Sequence, residues 1–328
     1  MGHHSWVRAV AVSGDGELIA SGDQCGDLIV WDGLEDAQAG ESLTWQGING
    51  HNGRITSLDF SPDRKMLASV SSDNTIKLWR IGPRQIHGNP ININIRADIY
   101  CVRYSPSGKL LAVATFKHIQ IWNPSMSECI MITNLTVNSF SLAWTPDGTR
   151  LLSAGYFFDP TIREWDTSTW NQVGDPWCAH TDAVNAIAVN STGTLVVSVS
   201  EDHYLCLWRL SDRRLIAIFH HPAPVYCVAF STDDKFILSG GYHTYLSEWG
   251  VPEDALLEVT HTKQASDVNY SSFSVPPPSH LAQGDFARQC SRGADDEQCE
   301  FLLGLSPSYQ PNLLLKPQES NTKARSYI

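Results

Sequence analysis

The chain has 328 residues, 42% of them hydrophobic, and a formal charge of −12 with a sequence pI of about 5.4. That balance argues against a general nucleic-acid-binding surface, which needs clustered Lys and Arg, and no apolar run approaches the roughly 18 residues of a membrane-spanning helix. The length would allow two average domains, although closed β folds of roughly 200–250 residues are common as single units.

In chain order, the N-terminal MGHHSWVRAV lacks the apolar core of a signal peptide, and Trp6 stands where a myristoylation motif takes Ser or Thr. Short alternating runs predict strands at Val7–Val12, Leu18–Ser21 and Leu28–Trp31, with a turn at Gly14-Asp15-Gly16. A polar insertion, Gly33 to Gly40, precedes an outer strand expected over Ser42 to Ile48. Gly50 to Arg80 is the most regular stretch. Its three apolar runs are punctuated by Ser61-Pro62-Asp63 and Ser72-Asp73-Asn74, where Pro fixes φ and a short acid accepts a local backbone hydrogen bond. Three strands and two tight turns make an antiparallel meander, too small to bury both faces alone.

Outer strands are expected near Pro90–Ile95 and Cys129–Leu135. Between them, Asp98 to Trp122 has a shortened second turn at Thr115–His118. Asn138 to Trp165 has an enlarged one, Tyr156-Phe157-Phe158-Asp159-Pro160. Ala179 to Arg209 is again regular, and His221 to Trp249 is followed by an outer strand expected at Ala255–His261. From Lys263 the alternation stops. Pro276-Pro277-Pro278, Asp295-Asp296-Glu297 and scattered Ser and Gln read as a low-complexity, disordered tail, with apolar islands at Phe301–Leu303 and Leu313–Leu315. The eight cysteines include no C-x-x-C pair, and several lie in expected strands. They read as reduced thiols of a cytoplasmic or nuclear protein, with a disulfide or metal framework as the alternative.

Third strands end at Trp31, Trp79, Trp122, Trp165, Trp208 and Trp249, at intervals of 48, 43, 43, 43 and 41 residues. His3, His51, His180 and His221 each precede their Trp by 28 residues. With Gly50-His51, Trp31-Asp32 and Trp165-Asp166, residues 2–262 resemble the Trp-Asp (WD) repeat β-propellers, in which one blade takes roughly 40–45 residues. The resemblance implies an all-β propeller of six four-stranded blades over residues 1–262, followed by the tail at 263–328. Six blades could close if blades one and six met by side-chain packing. The alternative is an incomplete or open ring, the chain being a fragment or a shortened gene product.

The resemblance further implies a buried set of four per blade: His, Ser or Thr, Asp, and Trp. His51, Ser69, Asp73 and Trp79 match it, as do His180, Ser198, Asp202 and Trp208. A structural role outweighs a hydrolase triad here, because the set recurs and the indole N–H needs a buried acceptor. Blade one has His3, Ser21 and Trp31, with Cys25 where Asp is expected. Blade six has His221, Ser239 and Trp249, with His243 there. Blade four keeps Asp159 and Trp165, with Ser153 aligning across the enlarged turn, and blade three keeps Trp122 alone, so blades three and four are expected to be the softest.

In this family one face is built from the loops entering the inner strands and the second turns. Matching positions gives Trp6, Arg8, Arg54, Thr56, Asp98, Tyr100, Asn138, Phe140, Asn185, Glu201, Tyr226 and Tyr242, joined by Tyr156, Phe157 and Phe158. Aromatic residues and Arg dominate interface energetics, so this face is expected to dock a protein or peptide. The leading reading is a non-catalytic scaffold without cofactor, metal, nucleic-acid or membrane partner. Its alternatives are a sensor domain of a larger protein and an enzyme using the central channel. The last lacks a G-x-S-x-G, an H-E-x-x-H or a phosphate-binding Gly loop.

Overall fold

The computed structural model describes residues 2–32, 44–46, 50–82, 85–95, 97–125, 127–132, 139–242, 246–252 and 255. The expected tail, the domain boundary at 262, Asn138, His243 and the insertion at 33–40 lie outside them. The described residues form six small antiparallel sheets, one per repeat. Blade one holds β1 (Val7–Val12), β2 (Leu18–Asp23), β3 (Leu28–Asp32) and β4 (Thr44–Gln46). Blade two holds β5 (Ile55–Phe60), β6 (Met66–Ser71), β7 (Thr75–Gly82) and β8 (Gln85–Asn94). Blade three holds β9 (Ile99–Tyr104), β10 (Leu111–Thr115), β11 (Ile119–Asn123) and β12 (Glu128–Ile132). Blade four holds β13 (Ser139–Trp144), β14 (Arg150–Gly155) and β15 (Ile162–Asp166). Blade five holds β16 (Val184–Val189), β17 (Leu195–Ser200), β18 (Tyr204–Arg209) and β19 (Leu215–His220). Blade six holds β20 (Val225–Phe230), β21 (Phe236–Gly241) and β22 (Leu246–Gly250).

Among the described residues, blades four and six therefore have three strands rather than the expected four. In blade four the chain returns along β15 but pairs only at Ile162–Trp177 and Trp165–Gln172. Between those bridges, Pro176 has no N–H to donate and Gly174 is left-handed (φ 63°), so no continuous ladder forms. The outer strand expected at 255–261 falls outside the described residues except for Ala255.

One device turns the inner hairpins. The hydroxyls of Ser13, Ser61, Thr145 and Ser231 donate to the Asp two residues on, at 2.6–2.7 Å. The residue three on is left-handed in every blade: Gly16, Arg64, Gly108, Gly148, Gly193 and Asp234. Ser-x-Asp in this sequence is thus a turn instruction.

The core consists of five apolar clusters, each at the junction of two consecutive blades. Blade two, for example, sets Ala68, Val70, Ile76 and Leu78 against Val102, Tyr104, Leu111 and Val113 of blade three. The inner strands pack in the order β1, β5, β9, β13, β16, β20, and β20 does not pack on β1 in the same way. Among the described residues the ring is open, and blade six is not closed on blade one by side-chain packing. Val7, Val10 and Val12 of β1 are exposed, as are Phe236 and Leu238 of β21.

Burial also moves the expected soft spot. Blades three and four are covered on both faces, and β10 is buried throughout. The least covered strands are β1 and β20 to β22. Missing polar sets matter less than a missing neighbour. The cysteine reading needs one correction. Cys25, Cys101, Cys129, Cys206 and Cys227 are free, but Cys178 is disulfide-bonded. It lies on the connection into blade five, not inside a strand, so the argument for a small apolar core residue does not reach it. No helix among the described residues is long and apolar enough to cross a membrane.

In blade two, Ser69 Oγ accepts from Trp79 Nε1 at 2.8 Å and lies 2.7 Å from His51 Nε2, whose Nδ1 is 3.1 Å from Asp73 Oδ2. Blade five repeats this at 2.9, 2.8 and 2.9 Å with Trp208, Ser198, His180 and Asp202. Blade one has Trp31 Nε1 on Ser21 Oγ at 2.8 Å and His3 Nε2 at 2.7 Å from it. Its acid is Asp23, not a residue at the Cys25 position. Asp23 Oδ2 lies 3.2 Å from His3 Nδ1, close without hydrogen-bond alignment. Trp165 donates to Ser153 and Trp249 to Ser239, each at 2.9 Å, while His221 Nε2 lies 3.2 Å from Ser247 Oγ. In blade three Val113 occupies the serine position, and Trp122 donates to Gln120 Oε1 at 3.1 Å instead.

The two complete sets differ in the residue that stands opposite the serine. Opposite the serine, the neighbouring strand carries Lys77 in blade two and Cys206 in blade five. Burial pulls His51 down to about 4 against Asp73, with Lys77 adding to the fall. Burial pulls His180 down too, but Cys206 and Asp202 outweigh it and carry the ring up to about 10. Against the upward pull of burial, hydrogen bonds from Thr75 and the Asn52 N–H hold Asp73 below the usual carboxylate range.

Native-state hydrogen exchange should show the weakest protection in β1 and β20 to β22. Faster exchange in blades three and four would contradict this. Asp202→Ala should lower the melting temperature, because three donors lose their acceptor at about 1–3 kcal/mol for an unsatisfied buried group; a wild-type melt would refute the assignment. The histidines should answer pH in opposite directions. An unfolded histidine titrates near ~6.5. The contribution of His51 is therefore complete above that pH and is lost as pH falls toward 4, whereas that of His180 is complete below it and is lost as pH rises toward 10. Melting curves from pH 7 to 4.5 should fall less steeply for His51→Gln than for wild type, and His180→Gln should not share that flattening.

Candidate functional site

Every inner strand carries a β-bulge at its second residue. The pairing skips Arg8, Thr56, Tyr100, Phe140, Asn185 and Tyr226, one per blade. A bulge leaves one residue out of the ladder and re-aims its side chain. These are the inner-strand positions nominated from the sequence, and the repeated bulge is the reason they are half-buried or exposed rather than locked in a junction.

Two bulge residues tie blades together. Thr56 Oγ1 donates to Ile99 O at 2.8 Å and Asn185 Nδ2 to Val225 O at 2.9 Å. Asn185 also reaches Glu201 Oε1 at 3.3 Å, which gives Glu201 a local structural partner. Arg8 stacks over Trp6, 5.3 Å from the ring centroid, and donates to Gln24 Oε1 at 2.7 Å. Trp6 is exposed.

The other nominated residues separate into two aromatic groups. In the first, Tyr100 meets Phe140 edge to face at 4.7 Å, and Phe140 meets Tyr156 in the same way at 4.6 Å. Tyr156 continues to Phe157 at 6.5 Å and Phe158 at 6.3 Å, which touch each other at 5.3 Å. The run crosses from blade three to blade four and ends in solvent, with Phe157 56% and Phe158 69% exposed. Burial raises the Tyr100 hydroxyl, and Asp98 and Tyr156 add to the rise while Arg54 opposes it. The second group is Tyr226 and Tyr242, both exposed. Burial, Glu201 and Tyr242 raise the Tyr226 hydroxyl.

Phe116 was missed by the sequence reading. Its N–H donates to Asp98 O at 2.9 Å, as Gln24, Ser72, Glu201 and Tyr242 donate to the loops entering their own blades. It is the blade-three counterpart of Tyr242, and it is exposed. The shortened turn hid it, because counting back from Trp122 misaligns the position.

Among the described residues, no group of three or more His, Cys, Asp or Glu side chains could hold a metal ion. Asp98 is exposed, and Asp159 is occupied by Thr161 and Arg163 at 2.7 Å each.

Five segments of the chain, 1–32, 43–80, 130–166, 172–209 and 213–249, match the family model described as WD domain, G-beta repeat. They cover more than half of the chain and leave out β9 to β11, the blade whose polar set is reduced to Trp122. The chain is 25% identical over 69% of its length to the U3 small nucleolar RNA-associated protein 15 homolog of Xenopus tropicalis, covering 42% of that protein. It is 24% identical over 78% of its length to Actin-interacting protein 1 of Drosophila melanogaster, covering 41% of it. It is 26% identical over 64% of its length to the Periodic tryptophan protein 2 homolog of Schizosaccharomyces pombe, covering 21% of it. The chain thus spans less than half the length of each of these relatives.

Proposed function

Since the chain belongs to the WD40 repeat family, we propose that it is a non-catalytic interaction scaffold that binds a protein or peptide partner through the loop face presented by its bulged inner strands. The family is generally non-catalytic, and the polar sets that resemble hydrolase triads are spent on buried indole N–H groups. The observation that carries the reading is the aromatic run from Tyr100 to Phe158, rooted between two blades and open at its end. Rigid rings that are held at one end and exposed at the other lose little conformational entropy on binding, which suits them to be anchors.

The partner's contribution is an apolar or aromatic side chain seated on Phe157 and Phe158, flanked by polar contacts to Arg54 and Asp98. Among the relatives, one is named for an interaction with actin and another for association with a small nucleolar RNA. The charge of −12 supports a protein rather than a nucleic acid for this chain.

Affinity purification with quantitative mass spectrometry should return a recurring protein that the Phe157→Ala/Phe158→Ala double variant retains at least 10-fold less well. The variant should melt like wild type, since both rings are exposed. Undiminished recovery of every partner on the double variant would reject this site.

A further inference from the structure

The open ring leaves two faces that the repeat itself defines. Register places Val10 of β1 on the same site as Leu58, Val102, Leu142 and Ile187, since each pairs with the serine position of its second strand, held by Val113 in blade three. Those four are 0–6% exposed, and Val10 is 59% exposed. Register likewise places Leu246 of β22 with Leu28, Ile76, Ile119, Ile162 and Leu205. Those five are 0–1% exposed, and Leu246 is 54% exposed. Val7 and Val12 accompany Val10, and Phe236 and Leu238 accompany Leu246. Blade one thus shows the half of a junction that blades two to five bury against their predecessors. Blade six shows the half that every earlier blade buries against its successor.

We propose that the opening between blades six and one is a docking site for a partner polypeptide that donates one blade: a small antiparallel sheet with branched aliphatic side chains on both faces. The site continues an interface already built five times in this chain. Such a sheet carries both missing halves, which neither a helix nor an extended peptide does. A rigid second copy of the chain does not fit, because its blade one could enter the opening only with its blade two in the volume of the first copy's blade one. Residues 263–328 contain no Trp and none of the alternating runs that mark the six blades. The site is lateral and separate from the loop face, so it stands or falls independently of the loop-face reading.

The test uses a regular four-stranded unit, the 42 residues Ala179–His220, as donor. One arm adds it as a synthetic peptide to the full chain. The other duplicates it within the full chain, between Val251 and Pro252. Either arm should slow hydrogen exchange in β1, β21 and β22 by at least 10-fold and leave β9 unchanged, and the peptide should saturate at one equivalent. Val10→Asp should abolish the effect in both arms. Failure of both arms to protect these strands overturns the proposal. So does strong protection of the unmodified chain that is lost on Leu303→Asp/Leu314→Asp, which would make the tail the occupant. Protection that rises with protein concentration overturns it in favour of self-association. Loss of loop-face binding in the Phe157→Ala/Phe158→Ala variant affects none of these readouts.

Discussion

A blade of this protein has two apolar faces and can cover neither by itself. Everything else follows from that constraint. A sheet of three or four short strands is only one residue thick, so alternate side chains of each strand point to opposite neighbours, and each neighbour must present the complementary set. Leu58 faces back toward blade one while Ala68 and Ile76 face forward toward blade three. Burying one such aliphatic side chain contributes about 1.5–3 kcal/mol, and several meet at each junction. The rotational order of the blades is therefore the order of the sequence, and the two terminal blades carry the unsatisfied remainder.

Against that term the polar sets are secondary. A buried hydrogen bond contributes about 0.5–1.5 kcal/mol net, and the sets vary from blade to blade while the junctions do not. Blade three shows which effect wins. It has lost the histidine, the serine and the aspartate, yet β10 and its partners are as buried as any in the molecule, and Trp122 finds Gln120 as an acceptor. What the sets supply is specificity. An indole N–H that must meet a serine on the neighbouring strand fixes the register of the second and third strands, and a one-residue slip would both orphan it and turn each apolar face outward.

This division explains what could be read in the sequence. Turn chemistry and period are local, so the strands, the six repeats and the complete polar sets were legible from Ser61, Asp73, Trp79 and their counterparts. Positions set by counting along the chain failed where a turn changed length. In blade one the turn keeps its length, but the acid nearest His3 is Asp23, inside β2 and two residues before the Cys25 position, where spacing does not look for it. Phe116 was lost with the shortened turn of blade three. Ser153 did align, because the enlarged turn lies after it and the Leu142–Ser153 pairing is untouched. Ring closure was not legible at all. Whether blade six meets blade one depends on the angle between sheets summed around an axis, and no local pattern encodes that sum.

The bulges release one residue of each inner strand from the demands of the junctions. A residue inside the ladder must alternate correctly and fill its junction, which restricts it to side chains such as Val102 or Leu142. The skipped residue escapes both demands, and the six bulges accordingly hold Arg, Thr, Tyr, Phe, Asn and Tyr. Where the side chain is short and polar, as at Thr56 and Asn185, it reaches the next blade's backbone and becomes structural. Where it is aromatic, as at Tyr100 and Phe140, it cannot make that bond and stacks with its neighbour across the blade boundary instead. The composition of the loop face can therefore change without cost to the junctions beneath it, and the aromatic side of the ring lies where the bulges of two adjacent blades have both been released from structural duty.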